Sequence, residues 1–396
     1  DRKYQNKMIM YRFLYRMEHV FWLLLSLFIR CFTRINKKRI LSWSYYYTKY
    51  SCSPRYITEY LLKEHPGKFE LYWCFNKDVD VSQLPSEIKI VRWRTWKYLL
   101  ILNSSAFLFT NTRTGLWKSS FVKKKGQRYV MTWHSSMGIK KIEQDAEETL
   151  SLSYINEAKY DSSICDLILS GCKFRTEVIK RAFWYDGEIL EKGTPRNDVL
   201  FQDHTELKQR IFAQCDIPKN TKILLYAPTF RKDMGLQYYK FNWDDVLPAL
   251  EEKFGSPMFI FLRLHPNFCR AGIDVSALCQ CERVLDVTYY HDMHELLCIS
   301  DVLITDYSSS LFDFSLLHKP CFIYATDYES YDRGTYFRLE ELPFPLALNN
   351  AELFDVISQF DKEEYESKLT EFNKRILCSY ETGKACEALY QWMTLC

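Results

Sequence analysis

Short apolar runs alternate with amphipathic stretches along most of the chain. The apolar runs predict strands at 69–75, 89–93, 106–110, 129–132, 167–170, 189–192, 222–226, 258–264, 284–286, 301–305 and 321–324. The amphipathic stretches predict helices at 53–64, 96–103, 173–183, 204–215, 243–254, 293–299 and 309–318. Strands that alternate with helices are typical of parallel sheets covered on both faces. The pattern therefore predicts two Rossmann-like α/β units, which face each other across a cleft.

The first residues of the chain show a different pattern, which predicts an amphipathic helix. Apolar residues recur there every three or four positions, at Met10, Phe13, Leu14, Met17, Phe21, Leu24, Leu25 and Phe28. The nearly continuous apolar run at 20–29 is only half of the roughly 20 residues that a bilayer span needs. We therefore expect a helix that lies on a membrane surface. The alternative is a helix packed on the protein, with a solvated basic face.

Charge is distributed unevenly along the chain. Residues 1–39 carry ten Lys or Arg and two acidic residues, whereas the remainder is net acidic although the whole chain is +3. The basic end suits an anionic membrane surface, and the acidic body argues against a nucleic-acid partner. The 14 cysteines are scattered without paired zinc spacings, which indicates free thiols in a reducing cytosol. No cleavage site follows the apolar run, so no secretion signal is predicted.

The stretch at 301–310, DVLITDYSSS, carries the most chemical information. A buried strand ends near Asp306, and Ser308, Ser309 and Ser310 follow just before a predicted helix. Free backbone N–H groups and hydroxyls at a helix start attract anions, so the turn is a candidate phosphate cradle. The plainer interpretation is a helix cap. Three consecutive serines exceed the need of a cap, which favours the cradle.

Two histidines follow predicted strands, one in each half of the chain. His134 comes after the strand at 129–132, and His265 after the strand at 258–264. A neutral imidazole can take a proton from a hydroxyl, and a protonated one can stabilise phosphate charge. Either histidine alone is more often structural. Their matching positions at strand ends make both of them catalytic candidates.

Arginines at strand ends are candidates for binding phosphate oxygens. Arg231 closes the stretch YAPTFR at 226–231, where a guanidinium fork would suit a pyrophosphate. Arg196 and Arg333 are weaker candidates, and for each arginine the alternative is a surface salt bridge. Asp78 and Asp80 match the DxD pattern of a metal-binding motif, but we interpret them as part of a solvated turn. No metal site is predicted.

In order along the chain, these motifs resemble the CDP-glycerol glycerophosphotransferase family, which includes teichoic acid and capsule polymerases. The matching stretches are Trp133-His134 with Lys140-Lys141, GTPRND at 193–198, YAPTFR at 226–231, LHP at 264–266, SDVLITDYSS at 300–309 with Asp313, Lys319-Pro320, Asp327 and RGTYF at 333–337. The similarity covers residues 53 to 337. One departure stands after His134, where Ser135, Ser136 and Met137 replace the usual Gly-Thr-Pro.

The resemblance implies a GT-B-like fold and the transfer of glycerol phosphate or ribitol phosphate from a CDP-activated donor, with release of CMP. It implies no cofactor and no obligatory metal. His134 would be the general base, His265 and Arg231 would stabilise phosphates, and Ser308 and Ser309 would hold the donor pyrophosphate. Asp306 and Asp313 are further candidates. The acceptor would be a lipid-linked polymer at the cytoplasmic side of the cell membrane, where the enzyme would be peripheral.

The predicted division is a membrane-associating segment at 1–39, an acceptor unit at 40–203 and a donor-binding unit at 204–396. Two other functions stay open: a GT-B sugar transferase or nucleotide-sugar epimerase, and an inactive scaffold for polymer assembly. The sequence leaves the polyol, the acceptor, the number of units added and the oligomeric state undecided.

Overall fold

A computed structural model gives the structure of the protein, and it describes residues 2–231, 235–239, 242–265, 276–279, 281–331 and 334–396. Two parallel sheets lie within these residues. Every predicted strand and helix corresponds to an observed one, with ends that differ by a few residues. The 13 cysteines in the described ranges are all free thiols, as predicted.

The first sheet contains the strands of the amino-terminal half. They are β1 (Asn36–Trp43), β2 (Glu70–Phe75), β3 (Lys89–Arg92), β4 (Ser105–Thr110), β5 (Arg128–Met131), β6 (Leu167–Leu169) and β7 (Glu188–Leu190). Their order is β3-β2-β1-β4-β5-β6-β7, and neighbouring strands are parallel. Successive residues of β5, Tyr129 and Val130, belong to hydrophobic cores on opposite faces of this sheet. The sheet is therefore covered on both sides, as its apolar runs predict.

The second sheet contains the strands of the carboxyl-terminal half. They are β8 (Lys222–Tyr226), β9 (Met258–Leu262), β10 (Val284–Asp286), β11 (Val302–Thr305), β12 (Cys321–Tyr324) and β13 (Leu346–Ala347). Their order is β10-β9-β8-β11-β12-β13, again parallel throughout. Both sheets are thus doubly wound, with a reversal of strand order between β1 and β4 and between β8 and β11. Ligands of such sheets bind beyond the carboxyl ends of the strands at these reversals.

Helices cover both sheets. They are α1 (Arg2–Phe32), α2 (Cys52–Glu64), α3 (Trp96–Ser104), α4 (Gly115–Ser119), α5 (Leu152–Ile164), α6 (Lys173–Ala182), α7 (Thr205–Gln214), α8 (Trp243–Phe254), α9 (Met293–Ile299), α10 (Ser310–Ser315), α11 (Asn350–Ser358), α12 (Lys362–Phe372) and α13 (Ala385–Leu395). The last helix, α13, returns to the first sheet, where Leu389 and Met393 pack in the same core as β4 and β5. The predicted boundary at residue 203 stays a prediction.

The amino-terminal helix α1 has one face on the protein and one face in solvent. His19 and Ser26 are buried, and Arg30 donates to the backbone oxygens of Val122 and Lys123 at 3.2 Å. The predicted apolar stripe is exposed at Met10, Leu14, Met17, Phe21, Leu24 and Phe28, each more than half exposed. Leu25, which the periodicity placed in the same stripe, packs instead on the core of the first sheet. Within the described residues, none of the helices has the length and apolar character that crossing a membrane requires.

The two sheets meet through the segments that follow their strands. Lys140 forms a backbone bridge with Thr335, and the Tyr336 N–H donates to the Ile139 oxygen at 2.7 Å. At the start of α2, the Cys52 N–H lies 3.5 Å from a carboxylate oxygen of Asp292, at the start of α9. The carboxyl ends of both sheets therefore face one shared interface.

Candidate functional site

His134 lies in the loop after β5 and contacts the loop that follows β4, which in turn contacts the loop that follows β1. Its Nδ1 is 3.0 Å from the backbone oxygen of Asn111, whose side-chain oxygen accepts the Tyr45 N–H at 2.9 Å. Trp133 has a φ of 55°, an uncommon conformation for a bulky residue, and its ring stacks on the imidazole with centroids 4.6 Å apart. Segments at the ends of three adjacent strands thus fix the orientation of this imidazole.

The surroundings of His134 keep it neutral. Burial lowers its pKa to about 4, the cations of Arg196 and Arg175 act in the same direction, and the hydrogen bond to Asn111 opposes them. Because a carbonyl oxygen only accepts hydrogen bonds, Nδ1 carries the proton and Nε2 holds the free lone pair. The geometry therefore suits a group that takes a proton from a hydroxyl.

The serine turn links β11 to α10 in the second sheet. Ser308 and Ser309 are half-buried, whereas Ser310 is buried. The Ser308 hydroxyl oxygen accepts hydrogen bonds from the Ser310 hydroxyl at 2.8 Å and from its N–H at 3.3 Å. The turn keeps partly accessible hydroxyls at the helix start, where an anion can approach. Its role as a phosphate cradle stays a prediction.

Arg231 is bound by carboxylates, one of which, Asp306, lies two residues before the serine turn. It pairs with Asp306 at 2.9 Å and makes two bonds to Asp327, at 2.5 and 2.9 Å. Burial opposes the charge, but the Asp327 and Asp306 carboxylates raise the pKa of Arg231 above its usual value. Its guanidinium also faces the Tyr307 ring at 5.1 Å. The side chain is only 9% exposed, so this is a buried ion-pair cluster rather than a surface salt bridge.

The second predicted histidine, His265, follows β9 and is exposed. Its ring centroid is 5.3 Å from that of Phe230, next to Arg231. This contact places His265 at the carboxyl end of the second sheet. Pro266, the next residue, and Arg333, a predicted phosphate ligand, lie outside the described residues, and the roles of His265 and Arg333 stay predictions.

Arg196 and Asp313 pair with each other across the two sheets. The Arg196 guanidinium binds the Asp313 carboxylate and donates to the backbone oxygen of His134 at 2.5 Å. Ser136 donates from its hydroxyl to the same carboxylate at 2.6 Å. Asp313 is 1% exposed and Arg196 6%. The structure thus joins two candidates that lie more than a hundred residues apart, and it links both to the His134 loop.

Further polar residues at this interface were not predicted from the sequence. His294 is buried, and its Nε2 lies 2.9 Å from the side-chain oxygen of Asn197 and 3.7 Å from Asp313. Burial, with a contribution from Arg196, lowers the pKa of His294 to about 4, so it too is neutral. Asn197 belongs to the GTPRND motif and offered a signal. His294 gave no such signal, because it belongs to no recognised motif and a single histidine in an amphipathic helix is usually structural.

No group of three His, Cys, Asp or Glu side chains in the described ranges is arranged to hold a metal ion. Asp78 and Asp80 are exposed, and Asp80 accepts the Ser82 N–H at 2.9 Å. This pair forms a solvated turn, as predicted.

Known proteins resemble the chain over most of its length. The family model for CDP-Glycerol:Poly(glycerophosphate) glycerophosphotransferase matches residues 25–395. A teichoic acid poly(glycerol phosphate) polymerase of Staphylococcus epidermidis is 33% identical over 89% of the chain, which spans 50% of that relative. A teichoic acid glycerol-phosphate transferase of Staphylococcus aureus is 32% identical over 90% of the chain and is itself covered to 92%. The chain therefore spans about half of the polymerase and nearly all of the transferase.

A solved structure shows the same fold. A variant of the wall teichoic acid polymerase TagF, soaked with CDPG, is 31% identical and superposes with a TM-score of 0.77 over 91% of this chain and 89% of that one. The GT-B-like arrangement of two α/β units is thereby confirmed.

Proposed function

Because the chain belongs to the CDP-glycerol:poly(glycerophosphate) glycerophosphotransferase family, we propose that it transfers a polyol phosphate from a CDP-activated donor to a hydroxyl of a teichoic acid-type polymer. The observation that carries this proposal is the neutral, oriented imidazole of His134 at the interface that also receives the helix of the serine turn. A base and an anion-attracting turn are the two parts that such a transfer needs.

In this proposal the acceptor hydroxyl lies against Nε2 of His134. Nε2 takes the proton as the hydroxyl oxygen attacks the β-phosphorus of the donor. A new P–O bond forms, and the bond between the β-phosphorus and the bridging oxygen breaks. CMP leaves with that electron pair. Ser308, Ser309 and His265 stabilise the negative charge on the phosphate oxygens.

CDP-glycerol is the donor that we favour. The relatives that match about nine-tenths of the chain carry glycerol phosphate in their names, and the matching TagF structure was soaked with CDPG. The two relatives reported above and TagF all carry teichoic acid in their names, which supports a wall polymer as the acceptor.

The test is acceptor-dependent release of CMP. The protein is incubated with CDP-glycerol or CDP-ribitol, with and without a lipid-linked teichoic acid acceptor, and CMP and product masses are measured. We expect CMP from CDP-glycerol only with acceptor, at a rate unchanged by EDTA, since the resemblance implies a metal-independent reaction. Turnover of UDP-sugars instead would identify a sugar transferase or epimerase. Binding of CDP-glycerol without any turnover would identify a scaffold.

We propose further that α1 holds the enzyme on the cytoplasmic face of the cell membrane. Its exposed stripe presents large apolar side chains, and Arg34, Lys37 and Lys38 beyond the helix are exposed to anionic headgroups. Trp96 of α3 and Trp117 of α4, both on helices that contact α1, are 66% and 46% exposed. Exposed tryptophans of this kind are enriched at membrane interfaces.

Replacing Leu24 and Phe28 together with glutamate is expected to weaken vesicle binding. Each side chain would otherwise bury apolar area worth about 1.5–3 kcal/mol, so the loss should exceed roughly tenfold. Sedimentation with vesicles of phosphatidylglycerol and phosphatidylcholine measures it. The matched control is Leu152→Glu, an exposed leucine on α5. Equal sedimentation of the double variant and the control would refute the membrane role of the stripe.

A further inference from the structure

Asp313 occupies a position that ties the two sheets together at the site. It lies on α10, three residues after Ser310, and is therefore attached rigidly to the serine turn. Its carboxylate accepts from Ser136 at 2.6 Å and from the Asn197 side chain at 3.1 Å, and it pairs with Arg196. All three partners belong to the first half of the chain.

The same partners hold the His134 loop. Arg196 donates one N–H to the backbone oxygen of His134 while it binds Asp313, and Ser136 is two residues beyond His134. A shift of α10 would therefore move the carboxylate that anchors both ends of this short loop. The contacts of Asp313 with Arg196 and with Ser136 therefore connect the serine turn physically to the loop that carries the His134 imidazole.

These contacts are buried, and burial restricts the Asp313 carboxylate to one orientation. Asn197 and Asp313 are at most 1% exposed, and the Arg196 side chain is 7% exposed. A buried carboxylate with several donors is held in one orientation, because any other leaves charges unpaired. Asn197 also donates to Glu381 at 3.1 Å, which connects the cluster to the segment before α13.

We propose that Asp313 is a positioning residue that couples the serine turn to His134. When the donor phosphates bind the turn, Asp313 keeps Arg196 and Ser136 in place, so that Nε2 of His134 faces the acceptor hydroxyl. Asp313 touches neither substrate. This inference rests on the proposed transfer.

The experiment is a double-mutant cycle of Asp313→Asn and Ser136→Ala. Asp313→Asn keeps the size of the side chain but removes the charge that binds Arg196. We expect kcat to fall roughly ten- to hundredfold, the loss typical of a misplaced catalytic group, with the Kd for CDP-glycerol changed less than about twofold. Ser136→Ala should lower kcat less. The two losses should be non-additive, because both act through the same loop.

A second measurement does not depend on turnover. Diethyl pyrocarbonate modifies accessible imidazoles, and mass spectrometry gives the rate at His134 in each folded variant. Release of the loop in Asp313→Asn and Ser136→Ala should raise this rate. The modification rate of His134 can be measured even if the protein turns over no CDP-polyol. Failure of the positioning role can therefore be distinguished from failure of the proposed function.

Asp198→Asn is the matched control. Asp198 is a buried carboxylate two residues from Arg196, but its oxygens accept the N–H groups of Ala385 and Cys386 at 2.9 and 2.8 Å. This variant should lose stability while His134 keeps its wild-type modification rate. Additive kcat losses, a parallel rise in the donor Kd, or an unchanged modification rate at His134 in Asp313→Asn would overturn the proposal.

Discussion

Replacing His134 with asparagine is expected to lower kcat by roughly 10²- to 10⁴-fold while CDP-glycerol still binds. The asparagine amide can keep the hydrogen bond to the Asn111 oxygen, so the loop keeps its shape. It has no basic nitrogen in place of Nε2, so the acceptor hydroxyl loses its proton acceptor. CMP release under saturating donor and acceptor measures the change, and calorimetric titration with CDP-glycerol measures binding.

The pH profile of the unaltered enzyme checks the same role. Because the pKa of His134 is lowered to about 4, its neutral form is present throughout the neutral range. Activity from this group should be flat between pH 6 and 8 and should fall as the pH drops through 4, where the imidazole takes a proton. His204→Asn, at a histidine whose Nε2 lies 2.7 Å from the Val199 backbone oxygen, should leave kcat unchanged. A His134→Asn enzyme with half of the normal rate would rule out the base.

The strand and helix pattern was readable because buried parallel strands are short apolar runs. β1 was missed for a physical reason. Its first residues, Asn36 to Arg39, are polar and partly exposed, and only the second half is buried. The charge of Lys37, Lys38 and Arg39 instead favours the predicted membrane segment. The fold class could therefore be predicted, whereas β1, which lies at the reversal of strand order in the first sheet, could not.

Helix α5 was missed because its pattern is weak. Among its buried residues are Asp161 and Ser162 as well as Ile155 and Ala158, so its inner face is half polar. Arg113 explains this composition, since its guanidinium donates to the Ser162 hydroxyl at 2.8 Å and lies 3.9 Å from Asp161. The sequence alone could not predict this helix, because the buried polar residues are explained only by their contact with Arg113, which is distant in sequence.

The strand ends that carry the candidate residues could be predicted from the sequence. The turn at 308–310 and the loop of His134 follow strands whose ends can be read from the sequence. Pairings across the chain cannot be read in this way. Arg231 meets Asp327, 96 residues away, and Arg196 meets Asp313, 117 residues away. The motifs include all four of these residues, but their spacing does not show that both arginines form ion pairs with carboxylates of this chain.

Replacing Arg231 with methionine is therefore expected to destabilise the protein strongly. The substitution leaves Asp306 and Asp327, 2% and 9% exposed, without their shared cation. Removing one partner of a buried ion pair typically costs about 3–5 kcal/mol of unfolding free energy. Urea denaturation followed by circular dichroism measures it. Methionine keeps most of the apolar stem, so the loss reports on the charge rather than on packing.

The control for this prediction is Arg338→Met. Arg338 pairs with Glu340 at 3.6 Å, but their side chains are 74% and 47% exposed, so the change should stay within about 1 kcal/mol. If Arg231→Met instead unfolds like the unaltered protein and loses affinity for CDP-glycerol, Arg231 binds the donor phosphates directly, as the sequence predicts. A large loss of stability would show that Arg231 acts first as the cation that pairs with the buried Asp306 and Asp327, because two like charges cannot stay buried alone.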